Sequence, residues 1–547
     1  ENCCNDENGW RGFRNKYWGE QPNMSYTAFT FIIFMLVTML LYFIMPRRAR
    51  WGVLLAASYL FYFLSSKLLV FSLLATTVSV YLSGLALGRI NTQFHLAKKT
   101  VPKEEKKALR QKTASKKKLV VFLAVLFNFG LLLFFKYFNF FGETVNSIFG
   151  LFADGSLVPH LKLIMPLGIS YYTLQSVSYV VDVYRGKIEP DRHFGRLALF
   201  VAFFPQIVEG PIGRYGQLAR QLYEPHRLST ANLMQGMQMI LWGLFKKMVV
   251  ADRAGIFVDA VFHDSAAYTG LPVMLAVLLY TIQIYADFSG VMDIVRGVAR
   301  LFGIQMALNF RRPFFSTSVQ EFWRRWHITL GAWLRDYVFY PVSLSKPILA
   351  LGKKAKKVFK GHAGRQLPAI CALFFVWFGN GLWHGAGWKF IAYGLYYYII
   401  MTIGTLFEPL SVKALHALHI DREGKPWRAF QVLRTCGFVY IGMLIFRAPG
   451  LRYAGRIFVS MFQGPFLGGG LVLPKFEAAD WMVLSIAVLL MLVVSVLQER
   501  DISVRALIAK LPLPIRWVIY FAALFSVIIF GIYGDGYHVG TFLYGQF

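Results

Sequence analysis

Acidic side chains are scarce in this chain. Its 547 residues hold 28 Asp and Glu against 58 Lys and Arg, a formal net charge of +30. Charge of either sign is sparse at 16%, while 56% of residues are hydrophobic and 17% aromatic. That balance excludes an ordinary soluble domain and fits a polytopic α-helical membrane protein. No segment shows the sustained alternation of a membrane β-barrel, so helices must satisfy the backbone polar groups. Cysteine is also rare: Cys3, Cys4, Cys371 and Cys436 match neither a disulfide framework nor a zinc spacing. Gly-x-Ser-x-Gly is absent, and Ser170, Ser176 and Ser178 read as small residues in a span. No nucleic-acid motif accompanies the positive charge, so nucleic acid is not an expected partner. The Lys and Arg instead fall in short loops between apolar runs, the placement of the positive-inside rule.

What remains are long apolar runs. The first covers about 26–45 and stops at Pro46-Arg47-Arg48-Ala49-Arg50, a cytoplasmic anchor. Further spans are expected near 51–66, 67–88, 119–141, 161–183, 231–250, 271–288, 367–386, 388–407, 435–449, 479–497 and 517–534. About twelve spans place both termini outside. The polar segment 1–23 is then extracytoplasmic and precedes one membrane domain, 24–547. The most polar loop, 91–118, has ten Lys and Arg against two Glu and falls inside. The basic loops 184–196, 214–228, 296–325, 353–365, 422–434 and 500–516 fall inside as well.

Two apolar pieces do not read as full spans. Residues 197–212 lie between basic loops and contain Pro205, Gly210 and Pro211. They read as a re-entrant segment, tolerable only where protein or a water-filled cavity surrounds the backbone. Residues 320–345 place Trp323, Trp326, Leu330, Trp333 and Tyr337 on one helical stripe, with Arg324, Arg325, Arg335 and Asp336 largely off it. This predicts an amphipathic helix along the cytoplasmic interface.

Two histidines stand in unusual settings. His384 sits in Gly379-Asn380-Gly381-Leu382-Trp383-His384-Gly385-Ala386-Gly387-Trp388, at membrane depth. An ionisable ring there marks a functional site by default. On a helix, Asn380 shares its face, and Trp383 can wall a cavity. The setting fits a general base acting on a hydroxyl away from bulk water. It equally fits a core histidine bonded to a backbone carbonyl. His327 follows Trp323-Arg324-Arg325-Trp326. It fits a donor site where Arg324 and Arg325 attract an anionic cofactor, or an interface helix with anchoring tryptophans. No acidic cluster or His-x3-His spacing supports a metal site. Asp287 either lines a tunnel and orients a histidine or pairs with Arg296, and Gln175 is a further polar residue near a span.

Four blocks then carry a family resemblance. They are Gln175-Ser176-Val177-Ser178-Tyr179-Val180-Val181-Asp182-Val183-Tyr184-Arg185-Gly186; Phe203-Phe204-Pro205-Gln206 through Gly210-Pro211-Ile212; Tyr285-Ala286-Asp287-Phe288-Ser289-Gly290 running on to Asn309-Phe310-Arg311-Arg312-Pro313; and Glu321 to His327 with the later Gly381-Leu382-Trp383-His384-Gly385. Together the chain resembles the membrane-bound O-acyltransferases, in the bacterial branch that modifies alginate and teichoic acid. The resemblance implies an all-α ring of helices with a cytoplasmic funnel for an acyl thioester. It implies that His384 is the catalytic histidine and His327 the second functional one. Glu209 stands where relatives more often carry a small residue, and 1–23 looks additional.

The expected function is O-acyl transfer, an acetyl group moving from acetyl-CoA or an acyl-pantetheine carrier protein toward an extracytoplasmic polysaccharide. No cofactor is bound permanently, and a partner protein relays the acyl group. The expected location is a bacterial cytoplasmic membrane. Asn380, Trp383, Trp323, Trp326, Arg324, Arg325, Gln175 and Asp287 are expected to line the substrate path. The rivals are D-alanyl transfer to teichoic acid and, in another class, an anionic-glycan transporter or flippase.

Overall fold

A computed structural model describes residues 24–533, apart from 153–154, 360, 465, 467–472 and 475. The expected extracytoplasmic segment 1–23, with Cys3 and Cys4, lies outside the described residues, as does the tail from 534. Among the described residues the secondary structure is helical, with no strands. The chain is thus an all-α, multi-pass membrane protein.

Its helices are α1 (Phe29–Ile44), α2 (Arg50–Ser66), α3 (Val70–Thr100), α4 (Lys106–Phe149), α5 (Ile169–Tyr184), α6 (Phe194–Ala202), α7 (Tyr215–Tyr223) and α8 (Thr230–Leu244). A π-helical turn, Phe245–Ala251, leads into α9 (Asp252–His263) and α10 (Leu271–Leu301). Then come α11 (Val319–Arg325), α12 (Ile328–Leu334), a second π turn (Arg335–Phe339), α13 (Tyr340–Ser343) and α14 (Lys346–Val358). The C-terminal part holds α15 (His362–His384), α16 (Trp388–Ala417), α17 (Lys425–Arg447), α18 (Leu451–Ser460), α19 (Ala478–Glu499), α20 (Val504–Ala509) and α21 (Leu513–Phe530).

Among the described residues, eight stretches are long and apolar enough to cross a membrane, the α2–α3 stretch from Arg47 to Thr100 counted as one. This differs from about twelve spans. The runs at 161–183 and 231–250 become α5 and α8, of 16 and 15 residues. The apolar character of α5 comes from burial in protein, since it is buried along almost its whole length. The apolar window of α10 is likewise 67% buried, against 17% in α4 and 6% in α21. Helices α5 and α10 therefore form the protein-enclosed centre. The outer helices turn Phe122, Leu126, Leu489 and Val518 outward, as a lipid-facing surface requires.

Helices α8 and α10 meet through glycines. A Cβ on Gly243 would lie 2.5 Å from the Gly290 carbonyl oxygen, and one on Gly236 would lie 2.8 Å from that of Gly297. Each pair is seven residues apart along its helix, so both contacts fall on one face. Small residues give membrane helices this close approach.

Two sequence expectations are corrected. Residues 91–118 are not a loop. Helix α3 runs on to Thr100 and α4 begins at Lys106, leaving a five-residue turn. Lys, Ala, Gln and Leu favour helix, so polarity alone did not end either element. Nor do residues 320–345 form one interfacial helix. The helix breaks at Trp326 and His327, whose φ of 45° is left-handed. Trp326 is buried rather than anchored at an interface. The segment folds inward because Asn309 offers its backbone groups partners beneath it. The expected re-entrant stretch comprises α6 and a buried irregular run from Phe203 to Ile212.

Candidate active site

His327 owes its position to Asn309. The Ile328 N–H donates to the Asn309 carbonyl at 2.9 Å, and the Thr329 N–H donates to Asn309 Oδ1 at 3.0 Å. The Thr329 hydroxyl reaches the same oxygen at 2.9 Å. A backbone N–H only donates, so this Asn atom is the carbonyl oxygen. His327 Nδ1, 3.3 Å away, must then carry the proton that it shares with Oδ1. In the neutral ring, Nε2 is consequently the acceptor nitrogen. Phe288 of α10 packs edge-on to the imidazole, with ring centroids 4.8 Å apart. A left-handed non-glycine residue costs of order 1 kcal/mol or more, and it persists where the surroundings over-determine it, as Asn309 does here.

His384 closes α15. Asn380 lies one turn earlier, and both are buried, as the helical spacing requires. The ring of His384 meets Phe446 of α17 at 5.2 Å and Tyr393 of α16 at 5.8 Å, both nearly perpendicular. Trp383 joins the two histidines. Its ring lies 5.4 Å from His327 and 5.0 Å from His384. Residues 57 positions apart thus share one buried aromatic wall. Helices α15 and α16 come this close because a Cβ on Gly381 would sit 2.5 Å from the Phe390 carbonyl oxygen.

Sequence reasoning missed Lys136 and Tyr137. A helix leaves its last carbonyls without intrahelical partners. Lys136 Nζ of α4 donates to the Trp383 carbonyl at 2.8 Å, and the Tyr137 hydroxyl donates to that of Leu382. The two side chains cap the turn that carries His384, and the Lys136 charge lies within electrostatic reach of its imidazole. A signal existed: Lys136 interrupts an apolar run, and a cation at membrane depth marks function by default. Asn309 gave no such signal.

The other expected residues divide. Trp323 packs on Trp377 and Tyr397, at 5.1 and 4.8 Å. Trp326 packs on Phe310 and Phe322. Both belong to the wall beneath His327. Gln175 donates to the Phe200 carbonyl and accepts from Gln206 at 2.9 Å. Arg325 is held in an ion network, 2.6 Å from Glu321 and 3.0 Å from Glu499, which also binds Arg312 at 2.6 Å. These carboxylates occupy the guanidinium, and Arg324 is exposed beside it. Neither arginine is brought to the histidines. Asp287 does not pair with Arg296. It lies 2.6 Å from Lys247, which also holds Asp252 at 2.8 Å, while Arg296 pairs with Asp293. The π turn at Phe245–Ala251 delivers Lys247 to that buried position.

A cavity of about 260 Å³ is lined by Gln206, Ile212, Gly213, Arg214, Gln217 and Gln305 among others. The Ile212 N–H donates to the Thr329 hydroxyl at 3.1 Å. The wall is therefore linked through Thr329 and Asn309 to His327. Gln206 Oε1 is buried and has no hydrogen-bond partner among the described residues. Among those residues no group of His, Cys, Asp and Glu is arranged to hold a metal ion.

The architecture is that of a membrane protein with two histidines on separate elements brought to one buried wall. The profile of the membrane-bound O-acyltransferase family matches residues 190–436, which contain both. A probable alginate O-acetylase of Azotobacter vinelandii is 33% identical over 77% of this chain and 74% of its own length. A peptidoglycan O-acetyltransferase of Helicobacter pylori is 30% identical over 63% of this chain and 65% of its own. A teichoic acid D-alanyltransferase of Bacillus subtilis is 30% identical over 47% and 62%. The chain belongs to the membrane-bound O-acyltransferase family, and it is an acyltransferase.

Proposed function

We propose that this acyltransferase moves an acetyl group from a cytoplasmic thioester toward an extracytoplasmic polysaccharide, directly or through a hydroxyl of a relay protein. The wall shared by His327, Trp383 and His384 carries this reading. His384 removes the proton of the acceptor hydroxyl as its oxygen attacks the thioester carbonyl. The carbon–oxygen bond forms, the carbon–sulfur bond breaks, and the proton passes to the leaving thiolate. No net proton is consumed. His327, with Nε2 as the acceptor nitrogen, holds the acceptor hydroxyl. Lys136 places positive charge where the oxyanion develops. The enclosing rings keep bulk water from competing as the nucleophile.

Acetyl is favoured over D-alanyl by the span of the likeness. Four probable alginate O-acetylases align over 77–79% of this chain and a fifth over 59%, two D-alanyltransferases over 47–51%. The orientation rests on the positive-inside bias of the basic loops, which supports a cytoplasmic side for the cavity at Gln206. The decisive test expresses wild type or His384→Ala in cells lacking the native copy and weighs the surface glycans by mass spectrometry. Acetyl esters are expected with wild type only. Full acetylation by a correctly inserted variant would sink the reading.

A further inference from the structure

The chain break that aims His327 is held at both ends. Residues 309–312 and 325–328 run side by side. The Ile328 N–H donates to the Asn309 carbonyl, and the Arg311 N–H donates to that of Arg325, both at 2.9 Å. Each segment contains a left-handed residue, Arg312 with a φ of 49° and His327 with a φ of 45°. Neither is glycine, so both conformations are disfavoured and need outside support. Asn309 supplies it at His327. At the other end the support is Glu499, the last residue of α19. Its carboxylate receives Arg312 Nε at 2.6 Å and Arg325 Nη1 at 3.0 and 3.1 Å. Arg325 Nη2 also donates to Glu321 Oε1 at 2.6 Å. Glu321 Oε2 in turn accepts from the Thr317 N–H and hydroxyl, both at 2.8 Å.

We propose that Glu499 is a positioning residue for His327. This rests on the role in acyl transfer given to His327 above. Arg325 stands two residues before His327, and Arg312 three residues after Asn309. One carboxylate thus ties the segment that carries the imidazole to the segment that orients it. Neither arginine touches the imidazole, so Glu499 acts on it through the backbone. A carboxylate in the last turn of a helix opposes the helix dipole, so α19 itself gains nothing from it. The two guanidinium groups are what stabilise it there. Arg312, Arg325, Glu321 and Glu499 balance in charge, and their side chains are only 16–29% exposed. Water and salt screen such pairs less than they screen pairs on an open surface. Removing the charge of Glu499 leaves two guanidinium groups with Glu321, which contacts Arg325. Glu499 also lies outside residues 190–436, where the family profile matches.

The test footprints the full chain in nanodiscs with diethyl pyrocarbonate. This reagent modifies accessible neutral imidazoles, and mass spectrometry reads the product residue by residue. His327 and His384 are both buried, and the exposed His416 and His419 are internal references. In Glu499→Gln the modification of His327 is expected to speed up about tenfold while His384 stays protected, because only the His327 loop opens. Initial acetyl-ester formation on surface glycans in cells should fall about tenfold, as a small misplacement of a reacting group produces. Glu499→Asp keeps the charge and should recover part of both. Unchanged protection of His327 would overturn the proposal. So would equal opening at His384, which would make Glu499 a general brace of the bundle. If His327 alone opens and acetylation stays full, the clamp stands and the role of His327 in acyl transfer fails.

Discussion

Asn309 Oδ1 lies 3.3 Å from His327 Nδ1 and also receives the Thr329 N–H and hydroxyl. One oxygen thus sets the ring's tautomer and holds the chain break that aims it. Asn309→Asp keeps an acceptor there but changes its charge, whereas Asn309→Leu removes the acceptor. Leucine should lower acyl transfer about 100-fold, on the scale of losing a positioned acid–base group, and aspartate by less. Steady-state rates on reconstituted protein check the order.

Lys136 supplies both a charge and a cap to the turn that carries His384. Lys136→Met removes both, whereas Lys136→Arg keeps a cation able to donate to the Trp383 carbonyl. The methionine variant should lose roughly 10- to 100-fold in kcat with little change in KM, and arginine should recover part of it. Equal losses in both would show that neither charge nor the donated bond is what matters.

Gly381 tests the approach of α15 to α16. A methyl group there would meet the Phe390 carbonyl oxygen at 2.5 Å, and backbone cannot swing aside as a flexible side chain does. Gly381→Ala should cost about 1–3 kcal/mol and move His384 relative to Tyr393 and Phe446. A lower midpoint of thermal unfolding in detergent, with activity lost disproportionately, is expected. Gly379→Ala is the control, since nothing lies within 4 Å of its added methyl.

Lys247 sits between Asp287 and Asp252, all three carried into the protein interior. Lys247→Met strands two carboxylates and should destabilise by about 3–5 kcal/mol. Asp287→Asn leaves Lys247 paired with Asp252 and should cost less. Thermal unfolding of the two variants in the same nanodisc gives the comparison. A milder effect of Lys247→Met would mean that the ion pair is not what holds the π turn.

Membrane residence and helical class were legible from local features, and His384 stood out as a candidate in the same way. Apolar runs of span length require helices because lipid offers the backbone no hydrogen bonds. An imidazole in such a run is costly enough to announce itself. The Trp323–Tyr337 stripe misled for a related reason. Periodicity reports which residues avoid water, and burial in protein and in lipid read alike. The break at His327 follows from Asn309, 18 residues away, so no window around 320–345 contained it. Arg325 looked available because its partner Glu499 lies 174 residues downstream.

The sequence by itself determined the solvent of this protein, its helical class and the two histidines worth watching. Each follows from residue chemistry against a membrane, which is local along the chain. Only the tertiary structure decided that Trp383 joins those histidines, that Lys136 and Tyr137 cap the turn carrying His384, and that Lys247 takes Asp287. These are contacts between distant helices. They depend on the angle and depth at which helices pack, which glycines such as Gly381 and Gly290 permit and hydropathy does not record.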